Sequence, residues 1–153
     1  MSAKPGVSKL TDHLGFWLRA VSNHVSHSFA EKLAADGVSV ADWVMMRLLH
    51  DVERMPPSVL AGHMEMTRGG VTKLADRLIA RSLVERRASR DDGRWQTLEL
   101  TATGRKLVPR LATLADRNDA EFFSDLTPSD RRTLERLLKQ LVERSAMPAM
   151  PIK

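Results

Sequence analysis

Apolar residues recur at intervals of three and four along most of this chain, and that spacing limits what it can fold into. The spacing is typical of helices that bury one face. It changes only after Leu83, where apolar and polar residues alternate as far as Leu100 around a polar turn at residues 90–93. Such alternation is typical of a half-buried β-hairpin. The sequence therefore predicts a mainly α protein with one small hairpin.

Capping residues and prolines mark where the predicted helices begin and end. The first helix is predicted from Leu10 to Leu33, before the stop signal Asp36-Gly37. A short helix over 58–63 follows two prolines, and the helices around it and after it have candidate N-caps at Ser39, Thr67, Thr101 and Thr127. Pro109 is expected to bend the helix that follows Thr101. The predicted order is four helices, the hairpin and two further helices.

Composition excludes several classes of protein. The 153 residues include no cysteine, which rules out disulfides, thiolate metal sites and thiol redox chemistry in this chain. Every apolar run is short and interrupted by charge, so neither a membrane span nor a secretory signal is expected, and we expect a cytoplasmic protein. The common phosphate-binding, dinucleotide-binding, zinc-protease and serine-hydrolase motifs are missing from the sequence. We therefore expect neither an enzyme nor a cofactor.

The positive charge is concentrated in one part of the chain. The net charge is +5, and between Glu65 and Arg94 eight cationic residues stand against five anionic ones. A local excess of this kind favours a polyanionic partner, although a modest cationic surplus is also common on solvated surfaces. The placement of these charges therefore matters more than their total.

The middle of the chain, residues 38–104, has the element order of a winged helix-turn-helix. Its second half contains an Asp-x-Arg followed by Leu-x-Leu-Thr-x-x-Gly, which resembles the wing signature of MarR-type transcriptional regulators (Asp92, Arg94, Leu98, Leu100, Thr101, Gly104). Upstream segments resemble the helix-turn-helix of the same family (Leu60-Ala61, Val71-Thr72-Lys73, Asp76-Arg77-Leu78, Leu83-Val84-Glu85-Arg86). Ser82 stands where the family often has glycine. The resemblance implies a winged helix-turn-helix flanked by N- and C-terminal dimerisation helices.

Candidate DNA-binding residues lie in the helix after Thr67 and in the hairpin: Thr67, Arg68, Gly70, Thr72, Lys73, Arg77, Arg86, Arg90, Asp92 and Arg94. Side chains in the first turns of that helix, including Lys73, can reach base edges or phosphates in a major groove. Gly69 and Gly70 would allow close approach to the DNA backbone. The resemblance assigns insertion into a minor groove to Arg94, oriented by Asp92.

Other interpretations of these residues remain open. On spacing alone, a solvated helix face is the favoured interpretation of Arg77 and Arg81, and Arg86 would serve equally as a strand-end ion-pair residue. Thr67 is first of all a helix cap. Trp95 is interpreted as packing at the root of the wing.

The terminal helices carry more apolar surface than a unit of this size can cover. We therefore predict a homodimer in which residues 1–37 and 105–153 supply the dimerisation helices and residues 38–104 form the DNA-binding lobe. The predicted interface consists of Leu10, Leu14, Trp17, Val21, Leu111, Leu114, Phe122, Leu134, Leu138 and Leu141. Two recognition helices about 34 Å apart would then match a pseudo-palindromic operator.

The resemblance also implies a small aromatic or phenolic effector bound between the dimer helices and the DNA-binding lobe. Candidate crevice residues are Trp17, His24, Trp43 and Met46, although for the tryptophans a core or interface role is the favoured interpretation. His24 and His27 lie three residues apart but lack a clear third ligand, so no metal site is predicted.

The sequence as a whole favours a sequence-specific DNA-binding regulator, interpreted as a repressor. The alternative is a winged-helix module for protein interaction or for non-specific, architectural DNA binding. The two differ in whether one DNA sequence is preferred over others.

Overall fold

The computed structural model describes residues 6–88 and 96–145, and within these ranges the predicted order of elements is confirmed. A 3₁₀ turn at Leu10–Asp12 precedes the regular elements, which are α1 (Leu14–Ala34), α2 (Val40–His50), α3 (Pro57–Met64), α4 (Arg68–Ala80), β1 (Val84–Ala88), β2 (Gln96–Leu100), α5 (Ala102–Phe122) and α6 (Pro128–Arg144). The protein is mainly α-helical with one antiparallel hairpin, as the sequence predicts.

Side-chain caps begin α2, α4, α5 and α6 at the predicted residues. In each case the cap hydroxyl accepts the backbone N–H three residues further on, at 3.0–3.1 Å (Ser39, Thr67, Thr101, Thr127). Such a cap stabilises a helix by about 1 kcal/mol. These four helix starts were therefore readable from local chemistry alone.

The first helix differs from its prediction at the N-terminal end. It begins at Leu14 and not at Leu10, because His13 has an extended backbone that separates the 3₁₀ turn from α1. The Trp17 indole N–H donates to the Thr11 carbonyl at 2.9 Å and holds the turn against the helix. The Trp17 side chain thus supplies the Thr11 carbonyl with a hydrogen bond that a backbone N–H would have supplied if the helix had begun at Leu10.

One cluster of buried apolar residues joins all elements from α1 to α5. The hairpin is anchored in it at the end nearest the helices, where Val84 pairs with Leu100. Met55, before α3, exchanges two backbone hydrogen bonds of 2.9 Å with Leu98 and so continues the sheet by one residue. The core therefore fixes the root of the hairpin relative to α3 and α4.

Leu111 corrects one part of the predicted dimer interface. Its side chain is fully buried inside the single chain, because α5 packs against α1 and α2. Leu114 is partly buried against the same core, and Phe122 is half-buried. The periodicity identified an apolar face of α5 correctly, but the subunit itself covers the part of it around Leu111.

Other predicted interface residues do lie on exposed apolar faces. One face follows the 3₁₀ turn and the first half of α1, and the other follows α6 (Leu10, Leu14, Phe16, Trp17, Leu18, Val21; Leu134, Leu137, Leu138, Leu141, Val142). All residues of α6 lie in the described ranges, and none of them is buried. Among the described helices, none combines the length and the apolar character needed to cross a bilayer.

Candidate nucleic-acid interface

A three-residue turn between α3 and α4 builds the helix-turn-helix. Glu65 adopts a left-handed backbone conformation with φ 52° and ψ 39°, and the Met66 N–H closes the end of α3 on the Ala61 carbonyl at 3.0 Å. Thr67 then caps α4. Because the turn is short and both of its ends are hydrogen-bonded, the start of α4 is held firmly beside α3.

The α4 helix divides into a buried face and an outward face. Val71, Leu74, Ala75 and Leu78 are buried, whereas the predicted DNA contacts Arg68, Thr72 and Lys73 are exposed. The Thr72 hydroxyl donates to the Arg68 carbonyl at 2.9 Å, one turn earlier in the helix. The structure thus brings the candidate contacts of the first two turns of α4 together on one accessible surface.

Gly70 has a local packing role in addition to any role at DNA. A Cβ at this position would lie 3.2 Å from both Met66 Cε and Thr67 Oγ1, and Thr67 Oγ1 is the atom that accepts the Gly70 N–H. At Gly69 a Cβ would meet nothing within 4 Å. The glycine at position 70 therefore leaves room for the cap, and the close approach to DNA predicted for this pair stays a prediction.

Arg77 and Arg81 are bound to other parts of the chain. The Arg77 guanidinium donates to Asp42 Oδ1 at 2.6 Å, and the Arg81 guanidinium donates to the carbonyls of Gly37 and Asp36 at 2.6 and 2.9 Å. A purely solvated face is thus the wrong interpretation for both residues, because Arg77 ties α4 to the first turn of α2 and Arg81 ties its C-terminal end to the connection between α1 and α2. Sequence reasoning missed these contacts because they join residues 35 to 45 positions apart.

Arg86 forms the ion pair that was its alternative interpretation. Its guanidinium on β1 contacts the Asp76 carboxylate on α4, so it ties the hairpin to the recognition helix. Between these elements Ser82 has a left-handed backbone with φ 59°, and its carbonyl accepts the Thr101 hydroxyl at 2.7 Å. A glycine would suit this site because it adopts a left-handed backbone without steric cost. In this chain Ser82 adopts that conformation instead.

The predicted tip of the wing lies outside the described residues. Arg90, Asp92, Arg94 and Trp95 fall between Ala88 and Gln96, which are paired across the hairpin. Their proposed roles therefore stay predictions of the sequence.

Comparison with known proteins tests the assignment of the whole chain. A family model described as MarR family matches residues 36–94, the helix-turn-helix and most of the hairpin. A putative transcriptional regulatory protein for the hcr operon of Thauera aromatica is 28% identical over 133 residues, which cover 86% of this chain and 80% of that protein. Residues 36–94 are thus similar to the MarR family, and relatives that match over most of the chain are named transcriptional regulators.

Solved structures of MarR-family and related regulators have the same fold. A probable transcriptional regulator from Pseudomonas aeruginosa has a TM-score of 0.80 and 26% identity, covering 87% of this chain and 99% of that one. A mutant of Escherichia coli MarR in complex with operator DNA has a TM-score of 0.81 and 22% identity, covering 89% and 99%. The family resemblance inferred from the wing signature is thus confirmed, and the similarity of fold extends to the flanking helices.

The four candidate effector residues of this chain lie in different surroundings. Met46 is fully buried in the core, and Trp43 is half-buried with its ring edge-on to Phe29 at 6.1 Å. Trp17 is 52% exposed on the apolar face of α1, and His24 is exposed. Met46 is therefore a core residue in the single chain. The other three candidates differ in exposure, so the crevice that they would line stays a prediction.

His24 and His27 both lie exposed on α1. His27 Nε2 lies 3.3 Å from Glu31 Oε1 on the exposed side of α1. Within residues 6–88 and 96–145, no three histidine or acidic side chains gather in a metal-binding cluster. The geometry thus adds no third ligand to His24 and His27.

An acidic pair lies across the two strands of the hairpin. Glu99 is buried on β2 and stands directly across from Glu85 on β1, with the Arg87 guanidinium beside it. Burial raises the pKa of Glu99 above its ordinary value of 4.5, the Glu85 carboxyl raises this pKa as well, and Arg87 opposes both. Alternation along β2 places Glu99 on the solvent side, so its burial was not foreseen.

We expect Glu99→Gln to stabilise the protein at neutral pH. Because the folded-state pKa of Glu99 is raised, its protonation favours the folded state. This contribution to stability is complete below the unfolded-state pKa and is lost as pH rises through the folded-state pKa. Glutamine removes the charge opposite Glu85, an effect of about 0.2–1 kcal/mol for directly opposed cross-strand pairs.

Urea unfolding measured across pH tests this expectation. The variant should unfold at higher urea concentration than wild type at pH 7 and should show a flatter dependence on pH above 4.5. Glu143→Gln, an exposed substitution on α6, is the control and should preserve the wild-type dependence. A variant that is less stable than wild type at pH 7 would contradict the assignment.

Proposed function

We propose that this protein is a MarR-family repressor that binds a pseudo-palindromic operator as a homodimer. The observation that carries the proposal is the outward face of α4, where Arg68, Thr72 and Lys73 are exposed while the opposite face is held in the core. A recognition helix mounted in this way presents its first turns to a major groove. The net charge of +5 favours a polyanionic partner and supports the same conclusion.

The dimer is supported by the two exposed apolar faces. We assign residues 38–104 to the DNA-binding lobe and residues 1–37 and 105–153 to dimerisation, with one hydrophobic core spanning the boundaries between them. The faces of α1 and α6 come from opposite ends of the chain and carry large side chains that are exposed within residues 6–88 and 96–145. A two-fold dimer that buries them would set two α4 helices about 34 Å apart, as a palindromic site requires.

Thr72 and Lys73 have different proposed roles. The Thr72 hydroxyl donates its hydrogen to the Arg68 carbonyl. Its oxygen can therefore accept a hydrogen bond from a base amino group, and the Thr72 methyl group can contact thymine. Lys73 is a compact charge suited to a phosphate. The minor-groove role of Arg94, with Asp92 and Arg90 beside it, rests on the family resemblance.

Release of the operator by a small aromatic effector is a further prediction of the resemblance. Trp17, His24 and Trp43 are its candidate contacts, and such a ligand would act by favouring a dimer whose recognition helices are wrongly spaced. Structures of the dimer with and without aromatic acids would test it.

The deciding experiment compares specific with non-specific binding. The protein is titrated against the DNA upstream of its own gene and against random duplex of the same length, over a range of salt concentrations. A repressor should prefer a palindromic site in the upstream DNA by a factor of about 10³ or more. A ratio near one would instead favour the architectural or protein-interaction module, and a steep salt dependence alone would decide nothing.

Substitutions at adjacent positions of α4 should separate the two roles. We expect Lys73→Ala to weaken binding to all duplexes by a similar factor, about tenfold, and to reduce the salt slope by about one. Thr72→Ala should leave the slope unchanged and alter the order of preference among operators changed at single base pairs. Gel-shift titrations of both variants measure this, and identical behaviour would show that the two roles are not divided in this way.

A further inference from the structure

The buried carboxylate of Asp42 lies at the point where α4 meets the segment 36–42, which consists of the connection after α1 and the first turn of α2. Asp42 and Ser39 form a capping box, in which Oδ2 accepts the Ser39 N–H at 2.9 Å and Ser39 Oγ accepts the Asp42 N–H at 3.0 Å. The capping box leaves Oδ1 without a partner on its own helix. A carboxylate that is 3% exposed requires a donor for that oxygen.

Arg77 supplies that donor from the recognition helix. Its Nη2 donates to Asp42 Oδ1 at 2.6 Å and lies 3.1 Å from Ser39 Oγ. A charge-assisted bond of this length is short and directional. The guanidinium thus completes the hydrogen bonding of an anion in the core by reaching across from α4.

Arg81 makes a second attachment one helical turn further on. Its guanidinium donates to the carbonyls of Gly37 and Asp36, and the Asp36 carboxylate pairs with Arg110 of α5 at 3.0 Å. Since Arg77 and Arg81 lie four residues apart, they are on one side of α4 and meet the segment 36–42 at two points along the helix. Two such points limit both rotation of α4 about its axis and sliding along it.

We propose that Arg77 is a positioning residue of the DNA-reading surface and does not itself contact DNA. On the basis of the proposed function, the pair Arg77–Asp42 sets the rotation of α4 about its axis. This rotation determines the direction in which Arg68, Thr72 and Lys73 point. Arg77 is therefore removed from the set of candidate DNA contacts. A rotation of α4 displaces those side chains from base edges that they must meet within hydrogen-bonding distance.

The test uses Asp42→Asn, Arg77→Gln and the double variant in operator titrations over a range of salt concentrations. Asp42 is buried and anionic, so its neutralisation would by itself favour binding to a polyanion. We expect the opposite, a loss of specific affinity of about tenfold with an unchanged salt slope. Arg77→Gln should cause a similar loss at the same slope, and the double variant should lose no more than either single one, because the two residues act as a pair.

Asp51→Asn is the matched control. It makes the same chemical change at the end of α2, at an exposed carboxylate that pairs with Arg47 at 2.6 Å, and it should leave operator affinity unchanged. Thermal unfolding of every variant is recorded, and binding is measured well below each transition. Should Asp42→Asn fail to fold, Arg77→Gln decides alone, since its guanidinium is 55% exposed and its loss removes no buried side chain.

The possible outcomes separate this inference from the proposed function. Wild-type protein that shows no preference for an operator contradicts the function itself. If wild type prefers the operator and Arg77→Gln reduces the salt slope by about one, Arg77 is a phosphate contact. That result overturns the positioning role. Unchanged operator affinity in folded Asp42→Asn or Arg77→Gln overturns it as well.

Discussion

Leu138→Glu should yield a folded monomer whose operator affinity has fallen by a factor of 100 or more, roughly the avidity lost when two linked sites become one. Leu138 lies in the middle of the α6 stripe and is 39% exposed in the single chain. A glutamate there would have to lose its hydration when the proposed dimer forms, which is costly for a charged group. Since no residue of α6 belongs to the core, the subunit should keep its own stability.

Gln140→Glu is the control for the Leu138 variant. It introduces the same charge two residues further along α6, on the opposite face of the helix, and it should leave both the dimer and operator binding intact. Sedimentation measures the oligomeric state, circular dichroism the fold, and gel shift the affinity. If Leu138→Glu remains a dimer or binds the operator as tightly as wild type, α6 is not the dimerisation face.

The contrast between Leu111 and Leu138 shows what periodicity can and cannot establish. Both residues lie on apolar stripes, and the sequence identified both stripes correctly. Leu111 is covered by its own subunit, however, whereas Leu138 is left exposed. Periodicity reports that a face is apolar but not which surface covers it, because that depends on how distant helices pack.

Local chemistry was more informative than long-range contacts. Helix caps and the change from helical to strand periodicity act within a few residues, and the structure confirms them at Thr67 and Thr101. The attachments of Arg77 and the burial of Glu99 depend on residues brought together only by the fold. For Arg77 a weak signal existed in the sequence, since the capping-box acid Asp42 has a second oxygen that needs a donor.

The role of Gly104 links the family motif to a physical cause. Gly104 is the last residue of the Leu-x-Leu-Thr-x-x-Gly motif and is buried in the first turn of α5. A Cβ there would lie 2.2 Å from the Leu83 carbonyl oxygen and 3.1 Å from Leu100 Cδ2. That carbonyl cannot easily move aside, because it accepts the Thr101 N–H at 3.1 Å and belongs to the junction between α4 and β1.

Gly104→Ala should therefore destabilise the protein by about 3 kcal/mol or more, at the upper end of what overpacking costs. To relieve the contact, α5 must move away from the junction that holds the recognition helix and the hairpin together. Urea unfolding measures the loss, and operator binding should weaken with it, since the same junction fixes the hairpin relative to α4.

Gly62→Ala is the comparison that makes the Gly104 prediction specific. Gly62 is also in a helix, but a Cβ on it would meet nothing within 4 Å, so alanine should stabilise α3 by about 0.5–1 kcal/mol through helix propensity. The same chemical change should thus have opposite signs at the two positions. Equal unfolding midpoints for Gly104→Ala and wild type would mean that α5 does not pack against the Leu83 carbonyl as closely as described, and the physical account of the motif would fail.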